Sequence, residues 1–163
     1  MDRLSSVLSA FRPKATSVTS LRFSRQREHL SLSSDSSYWL YMISGELTLT
    51  AQGNSRTELK EGDGVWLASG QNMDVSLADK RQFETSILIC EFDFGTKALN
   101  PLLDLEWQWI KVEKDDGIAQ QLLALNTLLL AESLQPRCGS QVIVERLAEA
   151  YLVQMLRQFI QTQ

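Results

Sequence analysis

The sequence predicts a mainly-β protein: a small antiparallel barrel or sandwich followed by a C-terminal two-helix hairpin. Three observations point there. Between Tyr38 and Met73, short β-branched, aromatic and apolar runs are separated by turn signals at Ser44-Gly45, Gly53-Asn54, Glu61-Gly62-Asp63 and Ser69-Gly70, the signature of strands joined by hairpins. After Gly95 the apolar spacing changes from a strand period to a helical one. Two helical stripes then follow, divided by the breaker Gln135-Pro136-Arg137-Cys138-Gly139.

Taken in order, Leu4, Val7, Leu8 and Phe11 stand at i, i+3, i+4 and i+7, one face of a short helix. Asp2 is its expected N-cap and Pro13 its stop, and its expected role is a flap on the outside of the barrel. Ala15 to Phe23, rich in Ser, Thr and Val, reads as a strand, His29 to Leu32 as another, and Ser33 to Ser37 as a polar loop. Strands near 38–43, 46–52, 56–60, 64–68 and 73–77 make the barrel, and Ala78 to Arg81 turns the chain. Thr85 to Phe92 is nearly continuous in apolar residues, which suits a strand buried on both faces. Asn100-Pro101 is a turn, and Ile110 to Val112 is a last short strand.

Asp115 or Asp116 is expected to cap a helix carrying Ile118, Leu122, Leu125 and Leu129, and Ser140 to cap a second helix reaching about Ile160. On that last helix Val144, Leu147, Ala148, Tyr151, Leu152, Met155, Leu156 and Phe159 form one broad stripe. Val142, Val153 and Ile160 fall near the opposite side. One stripe serves the helix's own domain; a second apolar side implies a second partner, so these three residues are the expected dimerisation contacts.

At 163 residues the chain is expected to be one domain, residues 1–163, with a barrel over about 15–112 and a helical hairpin over about 115–161. Hydrophobic content of 44% and charged content of 22% argue against disorder. No apolar run approaches the roughly 20 residues of a membrane span, and the amphipathic start M-D-R-L-S-S-V-L-S-A-F is not expected to act as a secretory signal. Cys90 and Cys138 form no Cys-x-x-Cys pattern and read as two reduced thiols, so a cytoplasmic location is expected. The net charge of −4 makes this segment a poor binder of phosphates, and Arg12, Lys14, Arg22, Arg25 and Arg27 read as a solvated strand face.

The glycine spacing resembles that of the cupin family. A cupin's second motif runs Gly, five residues, Pro, one residue, Gly, two residues, His. From Gly62 this chain has Asp63 next, Ala68 at the proline position, Gly70 at the second glycine and Met73 at the histidine. The first motif ends in Glu, six residues, Gly; counting back from Gly45 puts Tyr38 at the glutamate, with the two histidine positions near Leu32 and Ser34. The glycines and Asp63 match the pattern, while the four metal-ligand positions carry other residues.

A narrower resemblance follows. The opening M-D-R-L-S-S-V-L, the S-G-E-L hairpin, the L-x-x-G-D-x-V-x-L strand, and the stretch from Pro101-Leu102-Leu103 through G-S-Q-V-I-V-E-R-L-A-E look like the cupin-type sensor domain at the N-terminus of AraC-type transcription regulators. The resemblance implies a jelly-roll (double-stranded β-helix) barrel that binds a small effector, helices that form a homodimer, and DNA as a partner only through a C-terminal helix-turn-helix domain. The chain stops at Gln163, where that half would begin. The alternative is a stand-alone, metal-free cupin acting as a small-molecule binder or enzyme.

The chemistry present favours binding over catalysis. His29 is the single histidine and has no partner motif, and no phosphate loop occurs. A zinc or iron site would need several His, Cys or carboxylate ligands converging, so no catalytic residue, metal or cofactor is expected. If Tyr38 and Met73 keep the inward direction of the ligands they replace, strand alternation also turns Leu40, Met42 and Val75 inward. That lining suits a small, mostly apolar ligand held by a few polar groups. The same residues could equally fill a small barrel.

Overall fold

The computed structural model of the protein describes residues 2–10, 14–24, 29–33, 36–51, 55–67, 73–77, 85–93 and 109–162. The elements run α1 (Arg3–Ala10), β1 (Lys14–Arg22), β2 (His29–Leu32), β3 (Ser37–Ser44), β4 (Glu46–Ala51), β5 (Arg56–Lys60), β6 (Gly64–Leu67), β7 (Met73–Leu77), β8 (Ser86–Asp93), β9 (Trp109–Val112), α2 (Gly117–Leu134) and α3 (Ser140–Thr162). Among the described residues the strands form two antiparallel sheets. One has five strands in the order β1-β8-β3-β6-β9, the other four in the order β2-β7-β4-β5.

Strand alternation builds three layers from these elements. On β3, Tyr38, Leu40 and Met42 face the four-stranded sheet, while Trp39, Tyr41 and Ile43 face the helices. Val65 and Leu67 of β6 and Ile87 of β8 join the first set; Trp66 of β6 and Leu88, Cys90 and Phe92 of β8 join the second. Leu32, Leu47, Leu49, Leu59 and Val75 close the first core from the other sheet, giving a jelly-roll sandwich. Leu122 and Leu129 of α2 and Val144, Ala148, Leu152 and Leu156 of α3 close the second. The five-stranded sheet is therefore covered on both faces. That is why β8, its second strand, reads as a nearly continuous apolar run.

Of the three glycines that align with the cupin motifs, Gly70 lies outside the described residues and the other two have a backbone reason to be there. Gly45 and Gly62 hold φ of 80° and 88°, the left-handed region that costs other residues steric strain. Beside Gly62, the Asp63 carboxylate is buried and accepts the N–H groups of Lys60 and Lys114, each at 2.9 Å. It thus fastens the β5–β6 turn to the turn that leads into α2.

Several sequence expectations meet the structure at their caps. Asp2 caps α1 as expected, its carboxylate accepting the Ser5 N–H at 2.8 Å. Phe11 and Pro13, and the side chains of Leu4, Val7 and Leu8, lie outside the described residues. Asp116 stands at the N-cap of α2 without a side-chain cap bond; its carboxylate accepts the Glu113 N–H at 2.8 Å instead. Ser140 opens α3, but its hydroxyl accepts the Arg137 N–H and donates to Glu132, both at 2.6 Å, and so ties the two helices together. That hydroxyl, then the Arg137 guanidinium, hold Glu132 below the usual carboxylate range. No helix among the described residues is long and apolar enough to cross a membrane.

Candidate functional site

The five residues expected inside the barrel converge there. Tyr38, Leu40, Met42, Met73 and Val75 are all buried and belong to one cluster spanning both sheets. Leu32, at a first-motif histidine position, is the cross-strand partner of Met73. Ser34, at the other, lies outside the described residues. Phe23, Leu40, Met42, Leu47, Leu49, Leu59, Leu67 and Ile87, among the largest fully buried side chains, belong to this interior.

One end of this interior is polar, and the sequence reading missed half of it. Tyr38 pairs across the strands with Glu91 of β8, so the two side chains share a face. The Tyr38 phenol donates to the Glu91 carboxylate and receives the Ser33 N–H and the Ser36 hydroxyl. Burial, then the Glu91 charge, raise the phenol above its ordinary pKa. Thr16 also donates to Glu91, at 3.2 Å. In the sequence Glu91 looked like an interruption of an apolar strand; the alternation Ile87, Ile89, Glu91 was the signal that it shares the Tyr38 face.

The opposite face of the same sheet holds a cleft of about 240 Å³ between β3, β6, β9 and the start of α2. Trp39, Tyr41 and Tyr151 line it with Ile43, Val112, Ala119 and Leu123, and Glu61 and Lys114 stand at its edge. The Trp39 and Tyr151 rings meet at 4.6 Å with a 42° tilt. Gly64 makes room for this pair, because a Cβ there would run into the Trp39 indole. Burial raises the Tyr151 phenol, opposed in part by the Asn126 amide that donates to it. Burial and then the Glu61 charge raise Tyr41. Residues 39, 126 and 151 lie far apart in the chain, and no sequence signal joined them.

The expected dimerisation residues are described only in part. Val142 is 57% exposed, Val153 is partly buried, and the Ile160 side chain lies outside the described residues. Sequence reasoning looked at α3 and overlooked α2. Leu123, Leu128 and Leu134 of α2 are each more than half exposed, and Ile143 of α3 is 44% exposed. The signal was available, since α2 carries leucines on nearly every side.

Comparison with known proteins fits this architecture. A cupin family model matches residues 2–161. The chain belongs to the cupin family. Among solved structures, this cupin is similar to a lysine-to-alanine variant of apo ToxT from Vibrio cholerae, with TM-score 0.52 and 8% identity over 88% of this chain and 55% of that one. ToxT with an unsaturated fatty acid bound matches with TM-score 0.49 and 11% identity over 90% and 54%. Oxalate decarboxylase from Bacillus subtilis matches with TM-score 0.37 and 17% identity over 47% and 21%. The chain thus spans about half of the ToxT chain and a fifth of the decarboxylase. No curated protein matches the sequence.

The residues present do not fit the metal that the cupin motifs hold in other members. Leucine, tyrosine and methionine stand at the described ligand positions, a donor set unsuited to zinc, iron or manganese. Among the described residues no group of three or more His, Cys, Asp or Glu could hold a metal ion.

Proposed function

We propose that this cupin is the effector-binding and dimerisation domain of an AraC-type transcription regulator, a non-catalytic part that acts in the cytoplasm. One observation carries the reading. The described positions at which a cupin enzyme places its metal ligands, Leu32, Tyr38 and Met73, belong here to the barrel core, and the sheet packs on a helical hairpin that exposes Leu123, Leu128, Leu134 and Val142. The sequence resemblance and the fold shared with ToxT support it. The effector would be a small, mostly apolar, neutral molecule contacting Tyr38, Leu40, Met42, Met73 and Val75. Glu91, beside Tyr38, disfavours an anion at that end. Because these side chains are buried between the two sheets, binding would select a slightly opened barrel and pass to the helices as a population shift. The coupling would be about 1–3 kcal/mol, as in other two-site systems. DNA would be contacted only by a further domain.

The homodimer would form through the helices, with Val142, Val153 and Ile160 joined by Leu123, Leu128 and Leu134. Sedimentation equilibrium at roughly 50 μM tests this. The wild-type chain is expected to sediment as a dimer and a Leu123→Glu, Leu128→Glu variant as a folded monomer. A wild-type monomer at that concentration would overturn the dimerisation half of the proposal.

A further inference from the structure

The cleft under α2 contains an observation that the barrel reading leaves unused. Two buried polar atoms on its wall residues have no hydrogen-bond partner: the Trp39 indole Nε1, a donor, and the Asn126 Oδ1, an acceptor. Trp39 is 1% exposed and Asn126 5%. A buried indole N–H ordinarily finds a partner, and a buried amide left half-satisfied is destabilising. With the Asn126 Nδ2 donating to the Tyr151 phenol, the end of the amide left unpaired is the acceptor Oδ1. Placing a donor and an acceptor without partners beside a cleft is a poor design for packing alone and a good one for holding something.

We propose that this cleft is a second small-molecule site, separate from the barrel interior, which takes a small neutral hydroxylated compound with an apolar body. One oxygen would accept the Trp39 Nε1 proton and one hydroxyl would donate to Asn126 Oδ1. The body would lie among Tyr41, Ile43 and Val112 against the Trp39–Tyr151 pair. The chemistry follows from the walls. They combine aromatic and aliphatic side chains with the polar groups of Glu61, Lys114, Gln120 and Asn126, a mixture that suits a hydroxylated compound. The cleft's 240 Å³ falls below the usual volume of a drug-sized pocket and sets the ligand at about one ring. Glu61 and Lys114 at the edge offset one another and give no preference for either charge. Trp39 belongs to β3 and Asn126 to α2, so a ligand held by both would pin the helical hairpin to the barrel. The two polar atoms are closed off at the wall, and a small displacement of the Asn126 and Tyr151 side chains would admit the ligand.

The test is a titration of the whole chain with resorcinol, followed by the indole N–H resonances in an amide-proton correlation spectrum. The Trp39 signal is assigned by its loss in Trp39→Phe. The expected result is a saturable shift of that signal, weakened about two- to tenfold in Asn126→Leu, the effect of one hydrogen bond. The dimethyl ether of resorcinol, which cannot donate, should bind correspondingly less well. Ala119→Phe, which fills the cleft from α2, should abolish the shift, and Met42→Leu in the barrel should leave it unchanged. That last variant separates this site from the barrel reading. No saturable shift at up to about 10 mM resorcinol would overturn the proposal, whether or not the indole proton is protected from exchange. An equal response in Asn126→Leu, or to the dimethyl ether, would overturn it as well.

Discussion

The two faces of the five-stranded sheet differ more than their shared strands would lead one to expect. On β3, Tyr38, Leu40 and Met42 enter a core lined by leucines from the opposite sheet, with a polar pair, Tyr38 and Glu91, at one end. One residue along in each case, Trp39, Tyr41 and Ile43 meet a helical layer that leaves a cleft, with an indole proton and an amide oxygen unpaired. The face that holds the family's described metal positions is lined mainly by apolar side chains from both sheets. The difference teaches that the ligand positions of a cupin can be taken over by apolar core residues, while the helix-facing side of the same strands keeps aromatic and amide groups with polar atoms to spare.

The sharpest break in this comparison comes from the barrel face. Leu40→Ala should cost about 2–5 kcal/mol in urea unfolding, the range for a cavity opened in a core that cannot collapse. A cost below about 1 kcal/mol would mean that the barrel already holds space. Gly64→Ala acts on the other face, where its Cβ must displace the Trp39 indole. A loss of about 1–3 kcal/mol is expected, with a change in tryptophan emission.

Asn126→Leu should change stability by less than about 1 kcal/mol, because it removes an amide that is only half-satisfied. A large loss would show that this amide is fully bonded in solution.

Cys90 separates the buried layer from the surface by pH. Burial pushes its thiol from 9.0 up to about 12, so the raised form is the neutral one. Its contribution to stability should be complete below pH 9 and be lost as the pH rises towards 12. At about pH 8 a thiol reagent should modify exposed Cys138 and reach Cys90 only after unfolding.

The smallest effect is expected from His29→Ala at the edge of the four-stranded sheet. The imidazole lies 3.5 Å from the Asp74 carboxylate, with both side chains about 60% exposed. The change should stay within about 0.5 kcal/mol by urea unfolding.

Period and punctuation made most of the fold legible. Alternation puts Tyr38, Leu40 and Met42 on one face of β3 and Met73 and Val75 on one face of β7, the cupin resemblance turns both faces inward, and the glycines at 45 and 62 mark turns that need positive φ. What stayed hidden depends on which elements lie against each other. Glu91 joins Tyr38 only through the β3–β8 register. Trp39, Asn126 and Tyr151 meet because a strand and two helices converge, and single-sequence periodicity carries no information on that. The cap positions at Asp2 and Asp116 were legible, but not all of the cap bonding, for a related reason. Asp116 and Ser140 have the right side chains at the right places, but turn N–H groups at Glu113 and Arg137 compete for them.

The regulator reading is tested most directly by the intact mass of the native gene product from cells, set against the 18.4 kDa of this chain. The account predicts a product heavier by roughly 100 residues, the size of one further domain, with that added part basic and able to bind DNA. A native product of 18.4 kDa would contradict it, and the protein would then be a free-standing cupin.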